Sequence, residues 1–337
     1  MQEKIWALMT HVSGNEFDAN GKRTGRRFVV LEDEMIEYIL EEAPKAGFNA
    51  FVLEVNDGIE YGSHPEIWIK NAWSRKKLKT IIKRFNEKGI TVYPQLNFSA
   101  AHDMWLGVYE RMKSTPQYYK LIDDLVKEVY ELFNHPKYIH LSMDEEIPSL
   151  VSNKEFVCYR QNELYWHDLR FMFDSVLATG ATPWIWADPL FDFTEDFGKY
   201  IDADELVLSP WYYNSFRKEF WTPVDSRPEY VTHYNGHQYK GLNIKFVEED
   251  PFFVNVRNKA IPLLKKEGYK YIPCASVHNR CEHNARELLT YFKENAPDEN
   301  ILGYVTAPFC HGKMVNKQFF EESFETIKKA RKEIYNY

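Results

Sequence analysis

Three carboxylates stand in a row at Asp144-Glu145-Glu146, directly after the apolar run Tyr138-Ile139-His140-Leu141-Ser142-Met143 and shortly before Pro148. A run of this kind that ends in acids reads as a buried parallel strand delivering side chains to a pocket at its C-terminal end. Neighbouring carboxylates repel one another, so part of the triplet is expected to titrate away from its ordinary range. Acids suited to proton transfer are what bond cleavage by general acid–base chemistry requires. The competing explanation is a helix start, where Asp and Glu favour the positive end of the dipole. The elements around the run decide between them.

Those elements alternate. Apolar runs that read as strands cover residues 5–9, 50–55, 90–96, 138 onward, 183–188, 206–211, 271–276 and 301–307. Between and after them, helical spacing covers 34–46, 78–85, 121–133, 155–177, 260–266, 286–292 and 319–334, several segments being stopped by glycines such as Gly47 and Gly89. Eight strands alternating with helices over 337 residues predict an α/β chain folded as one (β/α)8 barrel, residues 1–337 forming a single domain. A doubly wound open sheet would carry a glycine-rich phosphate turn after an early strand, and the sequence has none. The stretch 212–256, with Trp221, Tyr230, Tyr234 and Tyr239, is expected to be a lid or pocket wall after the sixth strand.

Composition narrows the function classes. A net charge of −8 argues against nucleic acid as a partner, and the basic runs Arg75-Lys76-Lys77 and Lys328-Lys329-Ala330-Arg331-Lys332 read as solvated helix faces. Four cysteines are too few for a disulfide framework, no apolar run has membrane-spanning length, and residues 1–8 lack a leader's hydrophobic region. The expectation is a cytoplasmic protein with no membrane partner. Aromatic residues make up 16% of the chain, either as packing or as walls for the flat apolar faces of sugar rings.

In a barrel the site lies at the strand ends. These read Thr10-His11, Asn56-Asp57, Asn97, Asp144-Glu145, Trp186 and Asp188, Trp211-Tyr212-Tyr213, Ser276 and His278, and Thr306 to Phe309. Acids, aromatic walls and amides together suit a carbohydrate. Most glycosidases use two carboxylates facing each other across the bond, but the seventh strand carries no acid. Hydrolysis assisted by the substrate's own 2-acetamido oxygen avoids that need: one acid/base and one neighbour to orient the acetamido suffice. Strict alternation would send Asp144 and Glu145 to opposite faces, so both reach one pocket only where regular strand geometry ends.

His140-Leu141-Ser142-Met143-Asp144-Glu145 resembles the His-x-Gly-x-Asp-Glu signature of glycoside hydrolase family 20, the β-N-acetylhexosaminidases, most of all its single-domain members. Leu53-Glu54-Val55-Asn56-Asp57, Tyr61, Pro94 through His102 and Trp186-Ala187-Asp188 are similar to that family's next strand ends, so the resemblance spans about residues 50–190. It implies Glu145 as general acid/base and Asp144 as the group orienting the acetamido. Trp186 and Trp211 would be walls, with Tyr212 or Tyr213 on the acetamido oxygen. Asp57, Asn97, His102 and Asp188 complete the expected substrate-binding set, and no cofactor or metal is implied. The sequence departs from the pattern in three places: Ser142 stands for the usual glycine, Phe309 for a tryptophan, and the first strand lacks a sugar-holding arginine, for which Arg26 or Arg27 would have to substitute.

Other readings stay open at this point. His102 can contact a sugar or pair with Asp103, and Glu146 is expected to face away as a helix-start charge. Glu54, Glu145, Asp188 and His233 would serve a divalent-metal-dependent sugar isomerase, while His278, Cys281, His283, Cys310 and His311 fit no zinc spacing well. A carbohydrate-binding barrel without catalysis is the remaining alternative.

Overall fold

Strands in this chain are short runs whose alternate residues face a narrow interior and an outer helical layer. The computed structural model describes residues 3–13, 15–17, 23–25, 28–146, 151, 154, 156–158, 160–217, 255–278 and 281–336. The eight strand positions are β1 (Ile5–His11), β2 (Ala50–Glu54), β3 (Thr91–Gln95), β4 (Tyr138–Ser142), β5 (Thr182–Trp186), β6 (Val207–Ser209), β7 (Lys270–Tyr271 continued by Cys274–Ala275) and β8 (Gly303–Thr306). All pair in parallel with their sequence neighbours, and β1 pairs with β8. Pro273 interrupts β7, yet both edges remain bonded. Cys274 N–H donates to Pro210 O at 2.9 Å on one side, and Val305 N–H donates to Pro273 O at 2.9 Å on the other. The barrel is therefore closed, which removes the edges an open sheet would expose.

Inward positions such as Met9, Val52, Tyr93, Tyr138, Trp184 and Val305 fill the interior. Outward ones, including Leu8, Leu53, Ile139 and Leu208, pack with the helices. The helices follow from local signals. α1 (Asp33–Lys45) has acids in its first turn and buries Met35, Ile36, Ile39 and Leu40 on one face. Ser74 caps α2 (Arg75–Glu87) by accepting the Lys77 N–H at 3.1 Å, and Thr115 caps α3 (Pro116–Leu132), which has Pro116 in its first turn. They are followed by α4 (Asn162–Leu177), α5 (Asp188–Asp192), α6 (Thr194–Tyr200), α7 (Ile261–Glu267), α8 (Asn284–Asn295) and α9 (Lys317–Tyr335). The expected helix 155–177 begins only at Asn162, because Gln161 is extended. Of the stretch 212–256, residues 218–254 lie outside the described residues, with Trp221, Tyr230, Tyr234 and Tyr239 among them.

Candidate active site

The acidic run sits where β4 stops being a strand. The register against β5 shifts between His140 and Ser142, and the backbone then turns left-handed at Ser142 (φ +64°), Met143 (+65°) and Glu145 (+57°). Each such residue costs about 1–2 kcal/mol when it is not glycine, so surrounding contacts must hold the turn. The Ser142 N–H donates to His140 Nδ1 at 3.0 Å, and Gln95 Nε2 donates to the Ser142 hydroxyl at 2.8 Å. The Ser99 hydroxyl donates to the Asp144 carbonyl, and the Glu145 N–H donates to Asp188 Oδ1 at 3.1 Å. Broken alternation lets Asp144 and Glu145 turn to the same side, where one histidine nitrogen meets both. His102 Nε2 lies 3.0 Å from Glu145 Oε2 and 3.3 Å from Asp144 Oδ2. The alternative partner of His102, Asp103, is instead taken by Lys113 and Lys154 in a buried ion cluster.

Asp188, at the end of β5, is buried and ties this run to a wall: its Oδ2 accepts the Trp211 indole N–H at 2.7 Å. Burial, followed by the charge of Asp144, pushes its carboxyl well above the usual range. Trp211 stacks on Tyr213 (centroids 4.9 Å apart, planes at 20°), Tyr213 meets Phe309 at 5.2 Å, and Phe309 meets Trp186 at 6.4 Å. Burial, then the Cys274 thiol and the Asp188 and Asp144 charges, push the Tyr213 phenol well above its ordinary value, so it remains a proton donor. His140 sits beneath, its ring 4.9 Å from that of Trp184 and 4.8 Å from that of Trp186. Burial pushes its pKa down to about 3.

The sequence-predicted residues do not all meet here. Asp144, Glu145, His102, Trp186, Asp188, Trp211 and Tyr213 do. Tyr212 turns outward, packing on Phe216 and donating its hydroxyl to Ser215 O at 3.1 Å, because neighbours on an extended segment face opposite ways. Asp57 is buried and accepts the Ser13 hydroxyl, which joins the ends of β1 and β2. Asn97 is also buried, its Oδ1 accepting the Ser99 N–H at 3.2 Å and its N–H donating to Asn56 Oδ1 at 2.9 Å. Glu146 does face away, but not as a solvated helix-start charge. It is fully enclosed, 2.5 Å from Arg160 Nη1 and accepting the Ala100 N–H at 2.7 Å. Burial raises its carboxyl against the opposing pull of Arg160.

Gln95 escaped the sequence reading, as did the pairing of His11 with Glu54 (Nδ1 to Oε1, 3.3 Å). Period-two counting could have found both, since each residue closes its strand on the inward parity. Glu54 accepts from the Asn56 and Gln95 amides at 2.8 and 3.0 Å, while His233, Arg26 and Arg27 lie outside the described residues. Among the described residues no group of three or more His, Cys, Asp or Glu is placed to hold a metal ion. Among the described residues, too, no helix is long and apolar enough to cross a membrane.

No family model matches the sequence, and no curated protein matches it. Solved structures do. A β-N-acetylhexosaminidase from Bacteroides fragilis superposes with a TM-score of 0.62 at 15% identity, over 98% of this chain and 65% of that one. A family 20 exo-β-N-acetylglucosaminidase from Vibrio harveyi, solved in complex with N-acetylglucosamine, gives 0.61 at 14%, over 97% and 54%. Dispersin B gives 0.59 at 14%, over 99% of this chain and 100% of its own. The chain thus spans less than two thirds of the first two and the whole length of the third. Likeness at such identities is likeness of fold: this chain has the barrel fold of the glycoside hydrolase family 20 β-N-acetylhexosaminidases.

Proposed function

We propose that the chain is an exo-acting, retaining glycoside hydrolase that removes terminal β-linked N-acetylhexosamine from a glycan or glycoconjugate, using the substrate's acetamido group as nucleophile. The observation that carries this reading is the convergence of Asp144 Oδ2 and Glu145 Oε2 on one nitrogen, His102 Nε2, at 3.3 and 3.0 Å. The two carboxylates come from adjacent positions just past the end of one strand and reach that nitrogen together, rather than facing each other from two strands across a sugar. They can divide one task between them, which is what an internal nucleophile needs.

In the first step Glu145 gives its proton to the glycosidic oxygen. The acetamido carbonyl oxygen attacks the anomeric carbon as the bond to the leaving oxygen breaks, and the aglycone departs as an alcohol. Asp144 accepts a hydrogen bond from the acetamido N–H and offsets the positive charge that develops on the oxazoline-type ring. Tyr213, whose ring stacks on Trp211 and meets Phe309 and whose hydroxyl can donate, is suited to the acetamido carbonyl oxygen. Trp186 and Trp211 supply the apolar walls against which a pyranose face stacks. In the second step the Glu145 carboxylate takes a proton from water. That water attacks the anomeric carbon, the bond from that carbon to the oxazoline oxygen breaks to restore the acetamido carbonyl, and the sugar is released with its β configuration retained. Proton NMR of the freshly released sugar tests this reading: the β anomer must appear first, and first appearance of the α anomer refutes it.

A further inference from the structure

His11 closes β1 on the inward parity, and its ring lies 6.2 Å from that of Phe309. Phe309 in turn meets Trp186 and Tyr213, the aromatic walls beside the acidic run. The side chain is 18% exposed, so part of the ring is open to solvent on the side of these aromatic rings. Its Nδ1 is committed, 3.3 Å from Glu54 Oε1. Glu54 is itself fixed as an acceptor, because the Asn56 and Gln95 amides both donate to it. A carboxylate oxygen beside Nδ1 favours the tautomer that carries the proton there, which leaves Nε2 of the neutral ring a lone pair to offer. Among the described residues Nε2 has no protein partner.

We propose that His11, oriented by Glu54, is a specificity-determining residue that accepts a hydrogen bond from one ring hydroxyl of the bound terminal sugar. The proposal rests on the sugar-binding part of the reading above. A site built to bond a hydroxyl rejects the analogue lacking it far more strongly than an apolar pocket rejects a misfit, because a buried polar group is then left unpaired. The same carboxylate also joins the hydroxyl-reading end of the pocket to the catalytic end. Gln95 Nε2 bridges Glu54 Oε2 and the Ser142 hydroxyl at 3.0 and 2.8 Å, and Ser142 opens the left-handed turn that aims Asp144 and Glu145.

The test is binding, which needs no turnover. N-Acetylglucosamine, N-acetylgalactosamine and their 3-, 4- and 6-deoxy analogues are titrated by NMR into the wild type, His11→Phe and Glu54→Gln, with the fold of each variant checked by its thermal transition. The wild type should bind one deoxy analogue roughly tenfold or more weakly. That penalty should vanish in His11→Phe and shrink in Glu54→Gln, whose side-chain amide no longer fixes the tautomer. Equal penalties in all three proteins, no penalty for any analogue, or no binding of either sugar would each overturn the proposal. Binding with the expected penalty but no hydrolysis of any acetamido glycoside would leave His11 as proposed and refute only the catalytic reading.

Discussion

Asp188 holds the backbone of Glu145: its Oδ1 accepts the Glu145 N–H at 3.1 Å, while its Oδ2 accepts the Trp211 indole N–H at 2.7 Å. One buried carboxylate thereby sets the spacing between the proposed acid/base and the proposed sugar wall. It does so at a cost, since burial and the charge of Asp144 both disfavour its ionised form.

Asp188→Asn makes that link testable. An asparagine offers one acceptor oxygen and an NH2 that cannot accept, so one of the two donors loses its partner. An unsatisfied buried donor costs about 1–3 kcal/mol. Turnover should fall roughly tenfold to a hundredfold, while the thermal transition changes little because the buried charge is also gone. Steady-state kinetics beside calorimetry would show it, and unchanged kinetics would mean that Asp188 does not position Glu145.

Ser142 separates backbone strain from hydrogen bonding. At φ +64° glycine is the better residue, but Ser142→Gly also loses the Gln95 bond, and the two effects, each about 1 kcal/mol, should nearly cancel. Ser142→Val keeps the strain, adds a branched side chain and loses the bond, so it should be destabilised by about 2 kcal/mol or more. Urea unfolding midpoints compare the three proteins; a valine variant as stable as the wild type would contradict this account of the turn.

His140 predicts an acid limit. Its folded-state pKa, about 3, lies below the ordinary 6.5. The folded state therefore binds fewer protons than the unfolded state between those values. The stability contributed by neutral His140 is complete above pH 6.5 and is lost as pH falls towards 3, at about 1.4 kcal/mol per pH unit. Protonation would also turn Nδ1 into a donor and displace the Ser142 N–H that it accepts. Stability measured from pH 7 to 4 should fall along this slope and flatten in His140→Asn; an equal slope in both would assign the acid sensitivity elsewhere.

Glu146 must be dispensable for chemistry if Glu145 is the acid. Glu146→Gln breaks a buried pair with Arg160, which typically costs about 3–5 kcal/mol. The folded fraction should nevertheless turn over substrate within roughly tenfold of the wild-type rate. A loss of a thousandfold in a protein shown to be folded would transfer the acid role to Glu146.

The barrel was legible because its two periods are: inward parity along strands such as Ile5–His11 and the apolar stripe of α1 can be counted directly in the sequence. The acidic run was legible as a strand end, and the need for its backbone to break alternation followed from Asp144 and Glu145 being adjacent. What could not be read was how the break is held, because left-handed φ values at Ser142, Met143 and Glu145 depend on contacts from β3, β5 and the loop at Ser99. Partners distant in sequence reassigned Asp57 to Ser13 and Glu146 to Arg160, and no local pattern announces them. Tyr212 was reassigned to the outer core by near neighbours, Phe216 and Ser215, once the strand's parity is fixed by Trp211 and Tyr213.

The central claim, that the acetamido group is the nucleophile served by Asp144 and Glu145, is tested most directly by one assay. Aryl β-N-acetylglucosaminide and β-N-acetylgalactosaminide are compared with aryl β-glucoside and β-galactoside, using the wild type, Glu145→Gln and Asp144→Asn. The account predicts turnover of acetamido sugars alone, a loss of roughly a hundredfold or more in each variant, and losses that do not add in the double variant. Hydrolysis of the plain glycosides at comparable rates, or a Glu145→Gln variant that keeps most of its activity, would contradict it.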